Sequence, residues 1–294
     1  MGSLDYRALA VLDAVASHGS FDKAALALGI TQSAVSQRIK ALEDASGRLL
    51  IIRGQPAVPT GLGQRLIVHH RNVKLMEASL DIDLGNSVSL PEIAIAIDAD
   101  SLATWFPDAL PALLTPPRCQ LDVRLADSDS ALQLVRDGAV FGCVASQAGA
   151  ASDAAASVTA LGSLRYVCVA TPQFAGHWFG DGFSREAVQL APAVVSQQGL
   201  LARFLREQLD ITAPFPHHTL PAQAALRQCI MDGLAYGLLP QRLAAQALAS
   251  DRLVDLAPGH TLDLPLSWHA WTLDTPYTKL LSEQIVKAAQ AYLR

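Results

Sequence analysis

Apolar residues open the chain at helical spacing: Leu4, Ala8, Val11, Leu12 and Val15 recur until His18-Gly19 stops the pattern. Ser20 then caps a short helix carrying Phe21, Ala24, Ala25 and Leu28, Gly29 ends it, and Thr31 is a good N-cap for a third helix to about Ala45. Leu49–Arg53 reads as a strand, Gly54-Gln55-Pro56 as a turn and Ala57-Val58 as a short return, so three helices are followed by a hairpin wing. Thr60 caps a long helix to about Leu84 whose apolar stripe is Leu62, Leu66, Val73, Met76 and Leu80. Such a stripe needs a covering surface, most simply a second copy of the chain.

From Leu90 the pattern changes to strands and helices in alternation. Strands are expected at Ile93–Ile97, Leu121–Leu125 and Val140–Ala145, with helices near Ser101–Leu114 and Ser128–Asp137 between them. A second series has strands at Tyr166–Ala170, Ala193–Ser196 and Gly237–Leu239, with helices Leu200–Leu209, Pro221–Met231 and Gln241–Leu248. Strands Leu253–Leu256 and Leu266–Trp271 and a helix Tyr277–Leu293 close the chain. The expectation is an α/β protein with a winged helix-turn-helix head, and a parallel sheet in two lobes behind it. The divisions are 1–59 for the head, 60–89 for a linker helix and 90–294 for the lobes, the first from about 90–162 plus 266–294 and the second from about 163–265.

Charge changes the picture at the head. The net charge is −5, but residues 1–75 carry nine Lys and Arg against five acids, a net of +4, leaving −9 for the remainder. A basic head on an acidic body suits a head that meets phosphates. Cys119, Cys143, Cys168 and Cys229 have no paired spacing, so neither zinc nor a redox dithiol is indicated. No basic-then-apolar leader and no apolar run of membrane-spanning length is found, which places the expected protein in the cytoplasm, with no membrane partner.

The third helix carries the functional signal. Turning about 100° per residue puts Val35, Ile39 and Leu42 on one face and Ser33, Ser36, Gln37 and Lys40 on the other. The second face is short, neutral and hydrogen-bonding, and ends in a cation, which suits a DNA major groove better than a solvated face rich in Glu and Lys. Gln32 stands at the helix start, where recognition helices read bases, and Arg53 in the wing and Arg65 are candidate phosphate contacts.

The run from Ala24-Ala25 through Leu28, Thr31, Ser33-Ala34-Val35-Ser36, Ile39 and Leu42-Glu43, with Thr60 and Gly63 beyond, resembles the LysR-type transcriptional regulators over the whole chain. That resemblance implies a dimerising linker helix, lobes like those of periplasmic solute-binding proteins, a small coinducer or corepressor between them, no other cofactor, and assembly of dimers into tetramers on double-stranded DNA. Ala96-Ile97-Asp98-Ala99-Asp100-Ser101-Leu102-Ala103-Thr104-Trp105-Phe106 is similar to a signature of the ArgP/LysG subgroup, which controls exporters of basic amino acids, with further agreement at Gly237–Pro240 and Trp268-His269. It implies lysine or arginine as effector.

Asp98, Asp100, Ser101, Thr104, Asp127 and His269 are the effector-site candidates. The strand Ile93–Ile97 runs into Asp98-Ala99-Asp100-Ser101 and a helix, so free N–H groups and the Ser101 hydroxyl are expected to meet a ligand carboxylate; Asp100 or Ser101 also reads as an ordinary N-cap. Asp98, Asp100, Asp127 or Asp129 would supply an anion for a basic side chain. The chain departs from the subgroup at Asp98, where Asn is usual, at Ala126 in a pair usually acidic, and at Gln223, where Glu is expected. No nucleophile elbow, P-loop or dinucleotide fingerprint occurs, so no catalytic residue is expected; a solute-binding or enzymatic α/β protein with an accessory DNA-binding head is the alternative.

Overall fold

The computed structural model describes residues 4–83, 90, 92–115, 119–146, 156–196, 198–273 and 275–293; the expected helix end at Leu84 and the rest of the linker to residue 89 lie outside them. The head is built from α1 (Tyr6–His18), α2 (Phe21–Leu28) and α3 (Gln32–Ser46), followed by strands β1 (Ile51–Ile52) and β2 (Val58–Pro59) and the long helix α4 (Gly61–Asp83). Asp5, Ser20 and Thr31 cap the first three helices with side-chain oxygens on backbone N–H groups of the first turn. Gly19 is required twice over: its φ is +62°, and an added Cβ would lie 2.9 Å from the Cβ of Pro56 in the wing turn. The head's core is Leu9, Leu12, Val35, Ile39, Leu50 and Ile67, all completely buried. The Glu43 carboxylate accepts from the N–H groups of Leu50 and Ile51, tying α3 to the wing.

The remaining elements are β3 (Glu92–Ile97), α5 (Ala99–Thr104), a 3₁₀ turn (Phe106–Ala109), α6 (Leu110–Leu114), β4 (Gln120–Leu125), α7 (Ser128–Arg136) and β5 (Gly142–Ser146). They are followed by β6 (Ala156–Ala170), α8 (Pro172–Trp178), α9 (Arg185–Leu190), β7 (Ala193–Val195), α10 (Leu200–Leu209), β8 (His217–Thr219), α11 (Gln223–Met231), β9 (Gly237–Pro240), α12 (Gln241–Ala249), β10 (Val254–Asp255), β11 (Leu262–Trp271) and α13 (Pro276–Tyr292). The helix expected at Ser101–Leu114 is broken into three pieces, because Pro107 and Pro111 cannot continue an α-helical ladder from the preceding turn.

The expected parallel sheet needs correcting. β3 pairs in parallel with β4 and β5, but β11 runs antiparallel to β5 and β6, and β9 and β10 run antiparallel to β6, in one mixed sheet. β6 and β11 are far longer than the strands expected there, and together they carry the chain between the lobes. Their register shifts between Leu266 and Ser267, opposite Gly162. β7 and β8 form a separate parallel pair. All four cysteines are unpaired, with Cys119, Cys143 and Cys168 buried. No helix among the described residues is long and apolar enough to cross a membrane.

Candidate functional site

Two sites are built by this architecture. In the head, α3 buries Val35, Ile39 and Leu42, and that burial turns Gln32, Ser33, Gln37 and Lys40 fully outward with Ser36 half exposed among them. The five expected residues thus share one surface, and the Gln32 amide donates to the Ser36 hydroxyl at 3.3 Å across one helical turn. Arg53 is exposed at the start of the wing with its guanidinium 5.4 Å from the centre of the Phe21 ring, held there by a cation–π contact. Arg38 is also exposed on α3 and was not picked out by the sequence, although its charge is the ordinary signal for a phosphate contact.

The second site is a cleft of about 1190 Å³ between the lobes. One wall is the β3–α5 junction, the start of α7 and the end of β5, contributing Asp100, Asp127, Ser128, Asp129, Ser130, Gln133 and Ser146. Ser196, Gln198, Arg203, Pro221 and Gln223 form the other. Asp100 is the pivot of the first wall. It is only 7% exposed; Oδ2 accepts a 2.7 Å hydrogen bond from the Tyr166 hydroxyl, and Oδ1 is buried without a partner. Burial pushes its carboxyl up to about 6, Asp98 adds to the rise, and the Tyr166 bond opposes it.

Asp98 overturns one expectation. Its Oδ1 accepts from the N–H groups of Asp100 at 3.0 Å and Ser101 at 2.9 Å, so the start of α5 is capped by the chain's own carboxylate and not left free for a ligand's. A helix terminus is worth about 0.3–1 kcal/mol to an anion. Two like charges about 4 Å apart repel by roughly 4 kcal/mol at an effective dielectric of about 20. With the Asp100 and Ser101 N–H groups taken and a like charge beside them, the start of α5 is a poor place for a ligand carboxylate.

The other candidates divide. Asp127 lines the cleft and caps α7 by accepting from the Ser130 N–H, which holds its carboxyl below the usual range. Ser101 is completely buried with an unpartnered hydroxyl and does not line the cleft. Thr104 does not reach it either: its hydroxyl donates to the Asp100 carbonyl at 2.6 Å inside α5. His269 sits on β11 opposite Cys143 and Val158, away from the cleft residues, and burial lowers its pKa. Tyr166 and Arg203 carry no local sequence signal for this site, because nothing in the surrounding residues says that the Tyr166 hydroxyl reaches Asp100 or that Arg203 lines the cleft opposite it.

Residues 6–64 match the family model of the bacterial regulatory helix-turn-helix proteins of the lysR family, and residues 89–290 match the LysR substrate binding domain. The chain is 38% identical over 293 residues to the transcriptional regulator ArgP of Pseudomonas aeruginosa, covering 97% of this chain and 96% of that one. It is 35% identical over 298 residues to ArgP of Vibrio vulnificus, covering 100% and 99%. Among solved structures it resembles ArgP of Mycobacterium tuberculosis with a TM-score of 0.88 at 34% identity, covering 99% of each chain. It also resembles LysG of Corynebacterium glutamicum, solved with its effector arginine bound, with a TM-score of 0.79 at 31% identity, covering 99% and 100%. With a capped helix-turn-helix that presents a polar face and a two-lobed unit behind it, the chain belongs to the LysR family of DNA-binding transcriptional regulators.

Proposed function

We propose that this regulator responds to a basic amino acid, lysine or arginine, held in the cleft between its lobes, and that it controls a gene for the export of such amino acids. The observation that carries the effector class is Asp100: a buried carboxylate at the cleft wall with one oxygen braced by Tyr166 and the other without a hydrogen-bond partner, beside a second carboxylate at Asp98. Burying such a group is costly unless a cation or hydrogen-bond donor completes it. The arginine bound by the Corynebacterium glutamicum relative supports the same class, and likeness to ArgP regulators supports the exporter target.

In this proposal Gln32, Ser33, Ser36 and Gln37 read base edges, Lys40 and Arg53 hold phosphate or guanine, and Asp98, Asp100 and Asp127 serve the effector. The head is assigned to residues 1–59, the linker to 60–89 and the effector domain to 90–294. α4 pairs two copies, since Met76 and Leu80 are 41% and 59% exposed in the single chain, and two dimers form a tetramer on double-stranded DNA in the cytoplasm. Thermal shifts with a panel of free amino acids test the effector: at 100 times Kd, a ligand stabilises the folded state by about 2.7 kcal/mol. A rise in Tm with lysine or arginine and none with leucine or glutamate is expected, and no response to either basic amino acid would falsify the effector class.

A further inference from the structure

The two walls of the cleft differ in charge. Asp100, Asp127 and Asp129 line the first wall, which has no Lys or Arg among its lining residues. The second wall has no Asp or Glu among its lining residues and offers Arg203, the amides of Gln198 and Gln223, and the Ser196 hydroxyl. Gln223 Nε2 is a buried donor without an acceptor, and a smaller space of about 10 Å³ lies between it, Ser196, Tyr166 and Asp100. Arg203 is anchored from behind: its Nε donates to Glu207 Oε1 at 2.8 Å one turn along α10, leaving its terminal amino groups for an anion. The start of α5, the other place for an anion, is closed by Asp98.

Building on the basic-amino-acid function proposed above, we propose that the cleft holds its effector in one orientation, the cationic side chain against Asp100 and the carboxylate against Arg203 and Gln223. Arg203 is then the residue that selects an amino acid over the amine of the same length. The effector bridges the two lobes, so an amine lacking the carboxylate meets only one of them. The preference follows from pairing a fixed guanidinium with a carboxylate, a charge-assisted contact that an amine cannot make.

The test is calorimetric titration of the full-length protein with L-lysine, 1,5-diaminopentane, L-arginine and agmatine, using wild type, R203M, R203K and D100N. Wild type is expected to bind each amino acid at least tenfold more tightly than its decarboxylated partner. R203M should reduce that preference to threefold or less by weakening the amino acid and not the amine; R203K should keep part of it. D100N should weaken amino acids and amines alike. Arg203 is half exposed, so a thermal midpoint of effector-free R203M within a degree or two of wild type controls for folding. If wild type binds lysine or arginine and R203M keeps a tenfold preference over the amine, the orientation is wrong while the effector class stands. Leucine binding as tightly as lysine overturns the cationic half. If wild type binds neither basic amino acid, the effector class fails and the orientation fails with it.

Discussion

Ser36 and Asp100 show what single side chains contribute at the two ends of the molecule. Ser36 lies half exposed in the middle of the α3 surface, linked to Gln32. Replacing it with Glu places an anion where a phosphate-rich groove must approach; S36E is expected to lose specific DNA binding by at least a hundredfold in a mobility-shift assay, with the thermal midpoint within a degree or two of wild type. Asp100 couples function to pH. Its carboxyl is raised to about 6 in the folded protein, from 3.8 unperturbed, so between roughly pH 4 and 6 the folded state holds a proton that the unfolded state has released. Stability from this group is therefore present at low pH and is lost as pH rises through about 6, at about 1.4 kcal/mol per pKa unit. D100N should raise Tm at pH 7.5 relative to wild type and flatten that part of the stability profile. The cationic effector proposed here needs the ionised carboxylate, so its affinity should fall as pH drops below about 6, which titration calorimetry at pH 5, 6 and 7 measures directly. The sequence pointed to Asp100 as a strand-end acid; its burial, and the Tyr166 bond that shapes it, come from a residue 66 positions away.

Among the elements, α4 holds the molecule together. Gly63 in its first turn lies so close to the wing that an added Cβ would meet the Leu50 carbonyl oxygen at 2.1 Å, a backbone atom that cannot swing away. G63A is expected to lower stability by about 1–3 kcal/mol, as overpacking does, and to be read as a fall in Tm. Further along, the Arg71 guanidinium donates to Asp13 and Ser17 on α1 and to the Gly138 carbonyl at 2.8 Å beyond α7, while the Gln64 amide donates to the Asp137 carbonyl. One cation thus joins head, linker and effector unit, and α7, whose first turns line the cleft, ends at that junction. R71M removes the cation from the half-buried Asp13, which keeps only the Ser17 hydroxyl, takes the guanidinium donor from the Gly138 carbonyl, and should cost roughly 1–3 kcal/mol; differential scanning calorimetry is expected to show the head melting earlier. The capped ends of α1–α3 and the bounds of α10 were legible locally, because caps and 3.6-residue periodicity are properties of adjacent residues. The length of β6 was not, since its first half mixes small and polar residues, reaches a glycine at Gly162, and takes its strand partner from the distant β11.

At the scale of the whole molecule, a basic head precedes an acidic body, and α4 connects them with Met76 and Leu80 exposed on its surface. Placing a charge on that surface, as in M76K/L80K, is expected to shift sedimentation from dimer to monomer at micromolar concentration. It should also weaken operator binding severalfold or more, because two heads no longer arrive together. A variant that stays dimeric would place the pairing surface elsewhere on the chain.

The sequence by itself determined the helix-turn-helix, its outward face and the order of elements behind it. Each of these follows from spacing, capping and turn chemistry within a few residues. Only the tertiary structure decided which candidates meet. It turned Thr104 into its own helix, left His269 on a buried strand away from the cleft, and set Arg203 and Gln223 opposite Asp100. It also used Asp98 to close the helix end that had been expected to receive a carboxylate. The physical reason is the same in each case: a side chain's role in a cleft depends on which distant strand or helix is packed against it, and on which of its oxygens the backbone has already taken.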